Sequence, residues 1–214
     1  MSKSHEPEKT SQLEKWTSDF GDEYAERNAF EEWRMIPGVE VFRRMMSGRE
    51  VDSVLEVGCS VGLNLIFINA LFAGGVKLYG VEPNPKAYQT LLRQPHIQLA
   101  GSWNCDAFSL PMADASVDLA FTAGVLIHIA PTDLGQATDE IVRVAKRYVL
   151  CAEYFSHTPV EVPYRHHMGL LFKRDFGAFY VDRYAHLRCI DYGFIWQREY
   201  ASWDNVNWWL FEKQ

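Results

Sequence analysis

Cysteine is scarce and scattered in this chain. Cys59, Cys105, Cys151 and Cys189 form no C-x-x-C pair, which argues against a zinc site or a disulfide framework. No apolar run of about 18 residues is present to span a membrane. Positive charge is in deficit: 21 Lys and Arg face 28 Asp and Glu, a net charge of −7. That balance opposes general nucleic-acid binding, which needs basic surface to displace counterions. Repeats and Pro/Gly/Ser linkers are missing too, so 214 residues read as one domain with an added arm. The first ten residues are polar and carry no apolar signal region. The expectation is a disordered tail over 1–10 and a cytoplasmic protein.

The chain does hold 48% hydrophobic residues, ample for a core. From residue 52 the pattern alternates. Strands are expected at 52–57, 76–82, 97–101, 117–122, 147–155, 187–199 and 206–213. Helices are expected at 62–73, 85–93, 132–145 and 168–184. Asn84 suits an N-cap and Pro85 the first helical position. Such alternation predicts an α/β fold with a mostly parallel sheet covered on both faces. Ligands in such sheets bind outside the carboxyl ends of the strands. Ahead of this region, Leu13, Trp16, Phe20 and Tyr24 form a helical stripe over 11–28. A second helical stretch, 30–47, is interrupted in this reading at Pro37 and Gly38.

Residues 54–64 read V-L-E-V-G-C-S-V-G-L-N. An apolar strand carries Glu56 near its end, turns through Gly58 and Gly62, and opens a helix. Such a turn leaves backbone N–H groups and a carboxylate facing a small ligand. The dehydrogenase fingerprint G-x-G-x-x-G is absent. The next strand ends in Glu82, an acid suited to grip the hydroxyls of a ribose. Asp106 could accept from an adenine amine, and the N–H of Ala107 could donate to a ring nitrogen. These features point to an adenosine-bearing cofactor.

The segments E-V-G-C-S-V-G, V-E-P-N-P, D-A-F-S-L-P and V-D-L-A-F-T-A-G-V-L-I-H-I, in that order, resemble the motifs of class I S-adenosylmethionine-dependent methyltransferases. Ser60 stands where that family usually has a middle glycine. The resemblance implies a Rossmann-like fold with a seven-stranded sheet, and S-adenosyl-L-methionine as cofactor. It implies Glu82 and Pro83 at the ribose, and Asp106 and Ala107 at the adenine. Gly58, Cys59, Gly62 and Asn64 would lie along the methionine part, with Glu56 ordering the turn or the amino group. Thr122 and Ala123 would lie under the sulfonium. On this reading, 11–48 is an arm covering the cofactor and 49–214 is the methyltransferase domain. Outlying segments, among them W-T-S-D-F-G-D-E-Y-A-E-R-N, V-P-Y-R and V-N-W-W-L-F-E-K, are similar to methylases associated with pseudaminic acid biosynthesis. That likeness implies a small-metabolite acceptor such as an amino sugar or sugar acid, with oxygen or nitrogen methylated.

Other residues admit two readings. Arg27 is either a surface arginine or a clamp for the methionine carboxylate. His128 is either a loop histidine bonded to backbone or a base near the transferred methyl, and Glu153 could serve as such a base. The polar stretch 153–175 follows the fifth main strand, where an acceptor should sit; Tyr154 and Tyr164 are candidates there, and Arg165 could bind a carboxylate on an acidic sugar. Trp203, in a polar loop, is a candidate pocket wall. His166 and His167 are adjacent and point apart, so no metal site is read there. A nucleic-acid methyltransferase and a non-catalytic cofactor-binding module are the competing readings. The former lacks both a basic stripe and an N/D-P-P-Y type motif.

Overall fold

The computed structural model describes residues 10–214. The expected disordered tail therefore lies, apart from Thr10, outside the described residues. The strands are β1 (Ser53–Val57), β2 (Lys77–Val81), β3 (Leu99–Trp103), β4 (Val117–Ala123), β5 (Ala145–Glu153), β6 (Val160–Glu161), β7 (Phe172–Lys173), β8 (Leu187–Ile195) and β9 (Val206–Lys213). The α-helices are α1 (Ser11–Trp16), α2 (Asp19–Arg27), α3 (Met35–Met46), α4 (Leu63–Leu71), α5 (Pro85–Leu91), α6 (Leu134–Val144) and α7 (Phe176–Arg183).

Seven strands form one sheet in the order β3-β2-β1-β4-β5-β9-β8. The pairs from β3 through β5 are parallel. β9 runs antiparallel between β5 and β8. A short separate hairpin pairs β6 with β7. Alternate residues of each strand feed opposite cores, as the pleat requires. Leu119 and Phe121 join Phe42, Met45, Leu65 and Phe67 of α3 and α4 on one face. Leu55, Ala120 and Val149 join Ile141, Phe176 and Tyr180 of α6 and α7 on the other. The sheet is thus buried on both faces, and the tips of β1, β2 and β4 open toward the same side.

Helix boundaries depart from the pattern in instructive places. The expected helix 11–28 is two helices. Ser18 adopts an extended backbone and caps α2 by accepting from the N–H of Phe20. Thr10 caps α1 in the same manner. The stretch interrupted at Pro37 and Gly38 is instead continuous in α3. Pro37 falls in the first turn, where an N–H has no intrahelical partner to lose. Gly38 lets α3 approach the Phe67 ring, which a Cβ would meet at 2.4 Å. Helix 168–184 begins only at Phe176, because 160–173 pair as the small hairpin. Among the described residues no helix is long and apolar enough to cross a membrane.

Candidate active site

A cavity of about 270 Å³ lies over the strand tips. Its floor comes from the loops after β1, β2, β3 and β4, and its roof from α1 and α2. The hairpin residue Tyr164 and the β8–β9 loop residues Ser202, Trp203 and Asp204 close the far side.

The β1 turn explains its own residues. Gly58 (φ 77°) and Gly62 (φ 83°) adopt left-handed conformations, which glycine reaches without strain. At Gly58 a Cβ would meet the Val125 side chain at 2.6 Å. Gly62 starts α4 just behind the wall rather than on it. Ser60 is also left-handed, with φ 48°. This is the conformation that the missing middle glycine would serve. Its N–H donates to Glu82 Oε2 at 2.7 Å, which holds the strained turn in place.

Glu56 and Glu82 are nearly inaccessible to solvent. Asn64 donates to Glu56 Oε1 at 2.7 Å, and Oε2 has no partner. Burial pushes the Glu56 carboxyl up to about 8, against the opposing pull of Asn64. Glu82 accepts from the N–H groups of Asn84 and Ser60, both at 2.7 Å. Burial raises its carboxyl to about 7 even so. Asn104 ties the neighbouring loops together by donating to the carbonyls of Glu82 (2.7 Å) and Pro83 (3.1 Å). Asp106 turns its own loop by accepting from the N–H of Phe108 at 2.9 Å. Pro83, Asp106, Ala107, Cys59, Asn64 and Ala123 all lie on the wall.

Other expected site residues sit elsewhere. Arg27 is exposed, pairs with Glu23 at 3.7 Å, and does not line the cavity. The guanidinium on the wall is Arg34, seven residues on, with its Nε buried. The α2 helix ends at Arg27, and the chain must turn before an arginine can face inward. Thr122 is fully buried and off the wall, because strand alternation gives the cavity Ala123 instead. Glu153 is fully buried as well and does not reach the cavity. Its oxygens accept from the consecutive N–H groups of Val125 (3.1 Å), Leu126 (3.0 Å) and Ile127 (3.4 Å). It therefore holds the β4 loop and is not placed to act as a base. Arg165 is exposed, at the tip of a two-residue turn between Tyr164 and His167. Arg165 (φ 47°) and His166 (φ 68°) are both left-handed there, as tight hairpin turns demand.

His128 is bonded to backbone, as one of its two readings has it. Nδ1 lies 2.5 Å from the carbonyl of Leu170, so it donates that hydrogen bond. Burial pushes the imidazole down to about 4, leaving it neutral near pH 7. The ring also lines the cavity, 4.5 Å from the Trp16 ring and 5.0 Å from that of Tyr164. The expected stripe places Trp16 and Tyr24 on the wall, and Phe20 packs 6.0 Å from Tyr164. Gln12 fastens α1 to the hairpin by donating to the carbonyl of Gly169 at 2.9 Å. Trp203 lines the cavity. Arg34, Asn28, Ser202 and Asp204 carry no motif that sequence reading could have caught.

Among the described residues, nine buried side-chain polar atoms lack a hydrogen-bond partner. Six belong to residues of this wall: Trp16 Nε1, Arg34 Nε, Glu56 Oε2, Ser60 Oγ, Ser202 Oγ and Trp203 Nε1. Buried polar groups are ordinarily paired. Their clustering marks a site that a polar ligand completes.

The fold and the turn at its centre are those of a Rossmann-like α/β domain. Residues 55–152 match the family model described as a methyltransferase domain. An uncharacterized methyltransferase of Mycolicibacterium vanbaalenii is 33% identical over 146 residues, covering 66% of this chain and 54% of that protein. The chain thus spans about half the length of the curated relatives it matches. A Burkholderia thailandensis 1,6-didemethyltoxoflavin-N1-methyltransferase, solved with bound 1,6-didemethyltoxoflavin and S-adenosylhomocysteine, superposes with a TM-score of 0.68 at 16% identity. That match covers 98% of this chain and 93% of the other. Magnesium protoporphyrin IX methyltransferase from Synechocystis PCC 6803, solved with bound SAM, gives 0.68 at 13% identity, covering 98% and 100%.

Proposed function

We propose that the protein transfers a methyl group from S-adenosyl-L-methionine to an oxygen or nitrogen of a small metabolite in the cytoplasm. One observation carries the reading: the six unpartnered polar atoms gather on the one wall that the methyltransferase motifs also build. The residues present suit the cofactor. Glu56 Oε2 fits its ammonium, and Arg34 replaces Arg27 as the clamp for its carboxylate. Glu82 and Pro83 fit the ribose, and Asp106 with Ala107 the adenine. Gly58, Cys59 and Asn64 would flank the methionine part, with Ala123 beneath the sulfonium. Four free cysteines suit a reducing compartment. The charge of −7 favours a small acceptor over a nucleic acid.

The bound cofactor supplies a methyl group on positively charged sulfur. The chain's own task is positioning, which can supply on the order of 7–11 kcal/mol. Trp16, Tyr24 and Tyr164 exclude water from above. Glu153 fixes the β4 loop so that Ala123 and His128 stay in place. Neutral His128 gives the wall a polar edge without a charge. The narrower reading, an amino sugar or a sugar acid, rests on the resemblance of the outlying segments. Its sugar-acid half has lost the support of Arg165, which stands outside the cavity.

Titration calorimetry with S-adenosylhomocysteine tests the reading. The wild type binds, and Glu82→Ala weakens binding by about tenfold or more with an unchanged circular-dichroism spectrum. Undiminished affinity in that variant removes the ribose role.

A further inference from the structure

The sheet order gives the cavity a direction. The tips of β3, β2 and β1 carry Asp106, Glu82 and Glu56 in that succession, and β4 follows with Ala123. Beyond β4, the tip of β5 and the β8–β9 loop supply Tyr154, Ser202, Trp203 and Asp204. On the proposed cofactor placement, this far end faces the methyl group.

Its chemistry is specific. Tyr154 donates its hydroxyl hydrogen to Asp204 Oδ2 at 2.5 Å. Asp204 Oδ1 makes no hydrogen bond, and the carboxylate forms no ion pair among the described residues. The Tyr24 and Tyr154 phenols are held well above the ordinary range, first by burial and then by neighbouring negative groups that include Asp204. They stay protonated, and their surroundings are negative. The nearby cations are all off the wall: Arg165, Arg174 and Lys173, whose Nζ lies 5.1 Å from the Tyr154 ring centroid. An anionic acceptor would meet a carboxylate with no counter-charge. A hydroxyl acceptor would need a base, and neutral His128 is a weak one. A cation meets a carboxylate and aromatic faces, which attract it.

We propose that the methyl acceptor is a small amine, bound as its ammonium by Asp204 among the phenols of Tyr24, Tyr154 and Tyr164. The proposal rests on the methyl-transfer reading above and narrows it to nitrogen. The ammonium passes one proton to Asp204 and on to water. The freed lone pair then forms the C–N bond as the C–S bond breaks, and that bonding pair leaves with the sulfur. The product is the methylated ammonium. Ser202 Oγ and Trp203 Nε1, both buried without partners, offer donors to an oxygen near that nitrogen. An amine with a neighbouring hydroxyl or carbonyl uses the whole subsite.

Three probes of one ring shape and different charge test this on the protein saturated with S-adenosylhomocysteine: D-glucosamine, N-acetyl-D-glucosamine and D-glucuronate. By ligand-observed NMR, glucosamine binds at least about tenfold more tightly than the other two, an Asp204 contact of ordinary charge-assisted strength. Asp204→Asn erases that preference, and Tyr154→Phe weakens it, while affinity for S-adenosylhomocysteine stays within about twofold of wild type. Asp204 is exposed in a loop, so its replacement leaves the fold intact. Equal binding of the neutral or anionic sugar, no binding of glucosamine, or an unchanged preference in Asp204→Asn overturns the amine proposal. Failure of S-adenosylhomocysteine to bind overturns the methyl-transfer reading instead, so the two failures are told apart.

Discussion

At the β1–β3 end of the cavity, carboxylates are pinned by main-chain N–H groups and tied loop to loop. Glu82 spans from Ser60 to Asn84, and Asn104 clasps the backbone beneath it. At the β5 end the wall is aromatic, and its parts arrive from α1, the β6–β7 hairpin and the β8–β9 loop. A site made of strand tips and tight turns positions a ligand through backbone, so its residue types are constrained and recur as motifs. A site assembled from separate loops positions a ligand through side-chain shape, and many sequences serve equally well. The first arrangement suits a constant cofactor and the second a particular acceptor.

The β5 end has one feature that resembles the other end, and removing it gives the largest expected effect. Glu153 accepts from three consecutive backbone N–H groups in the core, as Glu82 accepts from two. Glu153→Ala leaves those donors buried and unpaired, at a cost of on the order of 3 kcal/mol. Urea denaturation should show that loss. If the loss stays below about 1 kcal/mol, the β4 loop is held by its packing alone, and the two ends share no backbone-pinned carboxylate.

Smaller in effect is the arm's contribution to the cofactor end. Arg34→Ala should weaken S-adenosylhomocysteine by roughly 2 kcal/mol, the worth of a charge-assisted pair. Arg27→Ala should change it by less than about 0.5 kcal/mol, as a solvated surface charge does. Calorimetry on both variants decides. The reverse order would restore Arg27 as the carboxylate clamp and detach Arg34 from the ligand.

These two arginines show what could be read from the residues alone. Strands, sheet class and the Glu56, Glu82 and Asp106 loops were legible, because period-two alternation and turn chemistry repeat wherever a backbone must bend that way. The arm's aromatic stripe was legible as a stripe. Its break at Ser18 was not, since a serine cap and a mid-helix serine look alike until the flanking backbone is seen. Arg27 was read as clamp or surface charge and Arg34 not at all, because which arginine faces inward depends on where α2 stops. The polar stretch 153–175 read as acceptor chemistry. Most of it is outside the cavity, because a tight hairpin throws Arg165 and His166 into solvent. Asp204 stood in a loop with no periodicity to orient it.

A last comparison separates the two ends by protons. Burial holds Glu56 at about 8 and both Glu82 and Glu153 at about 7, whereas unfolded glutamates titrate near about 4.3. Between those values the folded protein binds more protons than the unfolded chain, so stability falls as pH rises. His128, pushed down to about 4, acts oppositely, but only below its unfolded value of about 6.5. From pH 6.5 to about 7.5, before unfolded thiols near about 8.5 begin to ionise, the carboxylates dominate, with a slope of up to about 1.4 kcal/mol per pH unit for each proton involved. The melting temperature of the ligand-free protein should decline across that window. On the proposed placement, saturating S-adenosylhomocysteine brings an ammonium to Glu56 and hydroxyls to Glu82, which would favour their charged forms and lower their pKa values. It reaches nothing at Glu153. The decline should flatten in part, and Glu153→Gln should remove what remains. A ligand that leaves the slope unchanged would show that neither Glu56 nor Glu82 touches it. A ligand that abolishes the slope completely would show that Glu153 is coupled to the cofactor end after all.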